Sequence, residues 1–196
     1  FECVADKRVY TEEQLKTLLL ANEPISRILT IIRDLKLSDA WLCAGTLLNF
    51  IWNYLSGKPA FDKETDIDVV FFDQTISYEK TLRIEKELQA AYPAYKWELK
   101  NQIYMHVHSP NTEPYHNSCD AIAKYPEKCT ALAARINDKG KLELFLPYGL
   151  EDIVQFKVAP TPHFLADEER MRVYQQRLLK KHWQNKWPQL QFLKGD

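Results

Sequence analysis

The sequence predicts an α+β fold, one sheet covered by helices in a single domain, and three observations carry that prediction. Helical and strand patterns alternate in the order helix, helix, strand, helix, strand, helix, strand, hairpin, helices, as expected of a sheet with helices laid on it. The chain has 196 residues, a length that suits one domain. No internal repeat or flexible linker divides it, so residues 1–196 read as one unit, with a core over about 10–160 and a helical extension over 161–196 packed on that core.

Each element has a local reason. Thr11-Glu12-Glu13-Gln14 has the form of a capping box and precedes Leu15, Leu18 and Leu19 at helical spacing, so a helix starts at Thr11. A second begins near Pro24, since proline suits a first helical turn, and lines up Ile25, Ile28, Leu29, Ile32 and Leu35. Trp41 to Ala44 reads as a buried strand turning at Gly45 into a helix over Leu47 to Leu55, which Ser56-Gly57-Lys58-Pro59 stops. From Thr65 the β-branched and aromatic residues Ile67, Val69, Val70, Phe71 and Phe72 mark an interior strand. A helix over about Tyr78 to Tyr92 ends at Pro93, and Tyr95 to Val107 reads as one long strand. Ser109 to Ser118 is a polar loop. Cys129 to Ile136 and Leu142 to Leu146 flank Asn137-Asp138-Lys139-Gly140, a hairpin signal. Gly149 to Val158 and Ala166 to Lys181 read as helices, with Trp183 and Trp187 folding back onto the body.

Composition excludes several function classes. Lys plus Arg total 26 against 27 Asp plus Glu, a net charge of -1, so no global field holds a long nucleic acid. No apolar run approaches the roughly 20 residues of a membrane span. The four cysteines, Cys3, Cys43, Cys119 and Cys129, lack C-x-x-C spacing and read as reduced thiols of a cytoplasmic protein. Phe1-Glu2-Cys3 shows neither a basic nor an apolar leader, and reads as a trimmed start rather than a signal peptide.

Chemistry concentrates at Gly45-Thr46 and, about twenty residues on, Asp66-Ile67-Asp68. Residues two apart on a strand share a face, so both carboxylates project together while Ile67 and Val69 face the other way. Such a pair repels itself unless a hard cation intervenes, and Mg²⁺ commonly takes one or two carboxylates plus substrate phosphates. Glu98 shares a face with Lys100 and Gln102 on the later strand; if that strand lies beside the first, three carboxylates meet and can hold two Mg²⁺ ions. Gly45 lets the backbone approach phosphates, and the amides opening the next helix supply donors.

These residues resemble a family. Trp41-Leu42-Cys43-Ala44-Gly45-Thr46-Leu47-Leu48-Asn49-Phe50-Ile51-Trp52 and Thr65-Asp66-Ile67-Asp68-Val69-Val70-Phe71-Phe72-Asp73 look like the small bacterial nucleotidyltransferase-like proteins of the polymerase-beta-like superfamily. Trp97-Glu98-Leu99-Lys100-Asn101-Gln102, Met105-His106, Pro147-Tyr148-Gly149-Leu150-Glu151-Asp152 and Lys181-His182-Trp183 extend the likeness over nearly the whole chain. The resemblance implies a nucleotidyltransferase-like mixed sheet, with Asp66, Asp68 and Glu98 as the catalytic, metal-binding carboxylates. Gly45, Thr46, Asn49, Lys100, Asn101, Gln102 and His106 are the expected nucleotide contacts.

Two positions depart from the family pattern, because Leu48 and Tyr104 stand where arginines are usual. Arg supplies bidentate phosphate contacts that neither residue replaces. Two readings therefore stand side by side. One is a Mg²⁺-dependent nucleotidyltransferase, with Mn²⁺ as a substitute ion, moving a nucleoside monophosphate from an NTP to a small molecule, a protein or a short RNA end. The other is a catalytically weak or inactive nucleotide-binding or regulatory protein with the same fold. The basic cluster Arg177, Lys180, Lys181 and Lys186 could touch RNA, but a charged helix face is more often simply solvated.

Overall fold

The computed structural model describes residues 8–9 and 11–195. Side chains set the helix starts. In α1 (Glu12–Ala21) Thr11 and Gln14 close the capping box, and in α2 (Glu23–Leu35) Asn22 accepts from the Ile25 amide while proline occupies the first turn. Both helices bury the faces expected of them: Leu15 and Leu19, then Ile25, Ile28, Leu29, Ile31 and Ile32. The chain continues as β1 (Trp41–Cys43), α3 (Gly45–Leu55), β2 (Asp66–Phe71), α4 (Tyr78–Ala91) and β3 (Lys96–Asn101). Then come α5 (Ser118–Ala123), the hairpin β4 (Ala133–Ile136) and β5 (Leu142–Phe145), α6 (Glu151–Val154) and β6 (Lys157–Val158). The C-terminal part holds α7 (Pro162–Leu165), α8 (Glu168–Lys181), α9 (Trp183–Lys186) and β7 (Gln191–Phe192).

The five-stranded sheet has the order β3-β2-β1-β4-β5 and is mixed. β2 and β3 run parallel, with Asp68 opposite Glu98, while β1–β2, β1–β4 and β4–β5 are antiparallel. Alternation along the strands divides the interior in two. Leu42, Ile67, Val69, Phe71, Leu99 and Ala134 join the large core with α1 to α4 and α6. Trp41, Cys43, Val70 and Ala133 face the opposite side, where Ile122 of α5 and Ala131 complete a smaller cluster. That second face is only partly covered, and its open part carries the acids of β2 and β3.

Several expected boundaries differ, each for a local reason. The strand predicted over Tyr95 to Val107 stops at Asn101, whose side-chain amide holds the turns on either side of it: Nδ2 donates to the carbonyls of Asp73 (2.8 Å) and Ile76 (3.1 Å), and Oδ1 accepts from the Asp73 (3.2 Å) and Ile103 (3.3 Å) amides. A turn follows, then a 3₁₀ segment at Met105–His108, so Gln102 and His106 lie beyond the strand. Helix α3 starts at Gly45 rather than Leu47. The helix expected over Gly149 to Val158 is only α6; the chain then extends to pair β6 in parallel with β7. The residues before β4 form a 3₁₀ turn, Lys128–Thr130, instead of lengthening the strand. The hairpin itself is as read, with Asn137 Oδ1 accepting from the Lys139 and Lys141 amides and Gly140 at φ 75.

The C-terminal segment docks through tryptophans. Trp187 is 1% exposed, packs edge-on against Trp52 at 5.1 Å and donates from Nε1 to Asn53 Oδ1 at 3.2 Å. Trp183 meets Trp52 from another side at 5.6 Å, and Trp52 Nε1 donates to the Ile153 carbonyl at 2.9 Å. The indoles thus join α3, α6 and the tail, and the N–H groups of the two buried ones, Trp52 and Trp187, are satisfied. Cys43, Cys119 and Cys129 are free thiols, and Cys3 lies outside the described residues. Among the described residues no helix is long and apolar enough to cross a membrane.

Replacing Trp187 with Ala should cost about 3–5 kcal/mol of stability. Urea unfolding checks this, and the half-buried Trp183→Ala should cost less.

Candidate active site

The site begins where β1 turns into α3. Ala44 takes φ 54 and ψ −128, a conformation unusual for a residue with a Cβ, and its amide bonds back to the Leu132 carbonyl at 3.1 Å. The sharp turn predicted at Gly45 is thus made one residue earlier. Gly45 serves another purpose: a Cβ there would stand 3.3 Å from Asp68 Oδ2, and its backbone favours the charged form of the Asp68 carboxyl. Thr46 then ties the helix to the acidic strand. Its hydroxyl donates to the Asp66 carbonyl at 2.7 Å and accepts from the Asp68 amide at 2.8 Å. The two backbone partners belong to the two acids themselves, so the hydroxyl fixes where both side chains leave β2.

Asp66, Asp68 and Glu98 line one cleft of about 480 Å³. Asp66 and Glu98 are exposed, while Asp68 is half-buried toward the floor, where Cys43 and Tyr125 also lie. Asn49, Lys100 and Gln102 share the cleft, as the sequence predicts. Thr46, Asn101 and His106 do not line it. Thr46 is buried under the strand, Asn101 caps β3, and the His106 ring rests edge-on against Tyr115 at 6.4 Å with a buried Nδ1 that has no partner among the described residues. The neighbouring His108 faces the cleft instead, because a 3₁₀ turn does not preserve the strand alternation.

Burial pushes the Asp68 carboxyl up to about 7, and the charges of Glu98 and Asp66 add to the rise; Lys181 and the Gly45 amide oppose it. The same burial raises the Cys43 thiol, with Asp68 adding to it, so Cys43 is a neutral thiol 3.5 Å from the Tyr125 hydroxyl. The Cys119 thiol is pushed up to about 11, chiefly by burial, so it too is held in the neutral form.

The carboxylates share a cleft without closing on one point. Among the described residues no set of three or more His, Cys, Asp or Glu side chains is grouped so as to hold a metal ion. The predicted convergence is therefore met in register and facing, not in a finished three-ligand cluster. The donor chemistry nonetheless suits Mg²⁺: hard carboxylate oxygens on one face, with Asp68 in a setting that disfavours its charge until a cation is near.

The opposite wall was the part that sequence reasoning missed. Helix α8 places Val173, Arg177 and Lys181 along the cleft, with Lys124 and Phe164 nearby. Their i, i+4 and i+8 spacing is visible in the sequence, but only the tertiary fold shows what that helix face covers.

A nucleotidyltransferase family model matches residues 30–192. The chain belongs to the nucleotidyltransferase family. An NMR structure described as revealing a CCA-adding enzyme head domain is 54% identical, covers 96% of this chain and 98% of its own, and superposes with a TM-score of 0.91. A tRNA-processing enzyme in an apo form is more distant, 17% identical over 78% of this chain and 41% of its own, with a TM-score of 0.48. A tRNA nucleotidyltransferase complexed with a primer tRNA and an incoming ATP analog is 18% identical over 74% of this chain and 42% of its own, with a TM-score of 0.43. No curated protein matches.

Two measurements check this geometry. Thr46→Val removes two buried hydrogen bonds and should cost about 1–3 kcal/mol in urea unfolding, whereas Thr46→Ser should cost much less. The pH dependence follows from Asp68. Its folded value of about 7 lies above the ordinary 3.8, so between those values the folded state holds the extra proton and stability falls as pH rises. In metal-free buffer Asp68→Asn should melt close to the parent at pH 4 and progressively above it as pH rises through 7.

Proposed function

We propose that the protein is a Mg²⁺-dependent nucleotidyltransferase that moves a nucleoside monophosphate from an NTP to an acceptor hydroxyl and releases pyrophosphate. The observation that carries this reading is the pairing of β2 and β3, which sets Asp68 opposite Glu98 with Asp66 on the same strand face, all three lining one cleft. Asp66 and Asp68 would hold two Mg²⁺ ions, with Glu98 as the third carboxylate and Mn²⁺ as a substitute. Bound there, the ions supply Lewis-acid stabilisation of the charge on the phosphoryl and leaving oxygens.

The chain's own groups do the rest. Glu98, exposed in the cleft, takes the proton from the acceptor hydroxyl. Lys100 and Lys181 neutralise phosphate charge, and the amides of Asn49 and Gln102 offer contacts to sugar or base. Phe164 and Tyr115 give the cleft apolar wall against which a base can lie. The description of the 54% identical relative as a CCA-adding head domain keeps a short RNA end among the acceptors, beside small molecules and proteins. Near-neutral net charge disfavours a long nucleic acid.

The non-catalytic reading rests on the arginines missing at Leu48 and Tyr104. Leu48 is fully buried in the large core, and the Tyr104 hydroxyl donates to the Ile76 carbonyl at 2.9 Å. Neither residue leaves a gap in the cleft wall, where Arg177 supplies a guanidinium from α8. That arrangement favours turnover over a silent fold.

Asp66→Asn and Asp68→Asn should each lower Mg²⁺-dependent pyrophosphate release by about a hundredfold to a thousandfold, with circular dichroism unchanged. The assay incubates pure protein, Mg²⁺ and each NTP with a cell extract that supplies acceptors. Full release from either variant would contradict the assignment.

A further inference from the structure

Glu127 is a carboxylate with 0% exposure. It lies just after α5, where it bridges to Pro160 and where the Lys128 amide donates to the Ala159 carbonyl at 2.9 Å. The Thr130 hydroxyl donates to its Oε2 at 2.8 Å. Arg177 completes the set from α8, with Nε 2.9 Å from Oε1 and Nη2 3.4 Å from Oε2. This approach occupies one edge of the guanidinium fork. Among the described residues Nη1 has no hydrogen-bond partner, and the Arg177 side chain, 35% exposed, lines the cleft.

Stability alone does not account for such a pair. Burying a carboxylate is costly, and a well-packed hydrophobic pair of similar volume commonly serves a fold as well or better. What the pair does accomplish is to hold one edge of the guanidinium and leave the other unengaged, on a side chain that lines the cleft. Arg is also the side chain whose planar fork matches phosphate oxygens two at a time. Lys181 lines the same cleft four residues along α8, about 6 Å along the axis at 1.5 Å per residue, a spacing comparable to that of the end phosphates of a triphosphate. Lys124, another cation of the cleft, is engaged by Asp120 at 3.0 Å, and Lys100 stands on the acidic wall.

We propose that Glu127 is a positioning residue that holds Arg177 so that the free edge of its guanidinium binds the outer phosphates of the nucleotide and then the released pyrophosphate. The identity of the ligand as a nucleotide rests on the nucleotidyl-transfer reading; the anion site itself rests on the pair. Lys181 serves the phosphate nearer the acids, and Thr130 keeps the Glu127 carboxylate turned toward Arg177.

Calorimetric titration of the full chain tests this with three probes in Mg²⁺ buffer: ATP, AMP and inorganic tripolyphosphate. Glu127→Gln should weaken ATP and tripolyphosphate about tenfold while AMP stays within about twofold, and Arg177→Gln should weaken them at least as much. The double variant should bind no more weakly than Arg177→Gln, because Glu127 acts through Arg177. Where Arg177→Gln fails to fold, since it leaves Glu127 buried without its partner, the double variant and Arg177→Lys make the same comparison; a lysine does not serve both Glu127 and a phosphate. An unchanged ratio of ATP to AMP affinity in Glu127→Gln and in the double variant overturns the proposal and leaves a structural ion pair. Asp68→Asn separates the two ideas. If it keeps Mg²⁺-dependent ATP binding while the Glu127 and Arg177 variants lose tripolyphosphate, the anion site stands and nucleotidyl transfer falls. The reverse pattern sinks the anion site and leaves nucleotidyl transfer standing.

Discussion

One hydroxyl organises the acidic centre. Thr46 sits in the first turn of α3 and spans the backbone of Asp66 and Asp68, donating to one and accepting from the other. Two aspartates two residues apart repel, and the pairing of β2 with β1 and β3 fixes their face without fixing how the backbone around Asp66 and Asp68 meets α3. The Thr46 bridge supplies that link, and Gly45, in the same helix turn, leaves room for the Asp68 carboxylate to lie against it. The strained backbone of Ala44 fits this picture, because the chain must reverse abruptly from β1 to bring both groups against β2.

The sheet supplies the rest by dividing its faces. Period-2 alternation sends Ile67, Val69 and Phe71 into the large core and leaves Asp66, Asp68 and Val70 on the other side. Parallel pairing with β3 brings Glu98 and Lys100 onto that same side. A buried apolar face thus anchors a charged one, and the price of holding like charges together is offset by packing beneath them. Opposite stands α8, whose exposed-looking basic face closes the cleft and faces the acids with cations. The tryptophans of α3 and the tail clamp the chain that follows α8, so the position of that wall depends on the same core.

Much of the acidic side was legible in the sequence. The D-x-D alternation, the Gly-Thr turn and the acid on the next strand are local patterns, and local patterns survive translation into structure when a buried face enforces their register. The fold class follows from element order for the same reason. What escaped prediction depended on side chains competing with the backbone or on distant packing. Asn101 holds the turns at the end of β3 with its side-chain amide, which period-2 reasoning does not anticipate, and His106 lies beyond the strand and out of the cleft. Thr46 reads as a phosphate contact until its partners across the strand are known. Arg177 and Lys181 read as a solvated helix face, because nothing within α8 reveals the cleft it covers. The losses at Leu48 and Tyr104 look serious in a linear comparison and small in space, since neither side chain points at the cleft.

The central claim is that Asp66 and Asp68 hold the ions that bind an NTP against α8. The most direct measurement is a crystal structure with Mn²⁺ and a non-hydrolysable NTP, with the metals located by anomalous scattering. The predicted result is metal coordinated by the Asp66 and Asp68 carboxylates, with the triphosphate running toward Lys181 and Arg177. Metal bound elsewhere, or a nucleotide seated away from these aspartates, would contradict it.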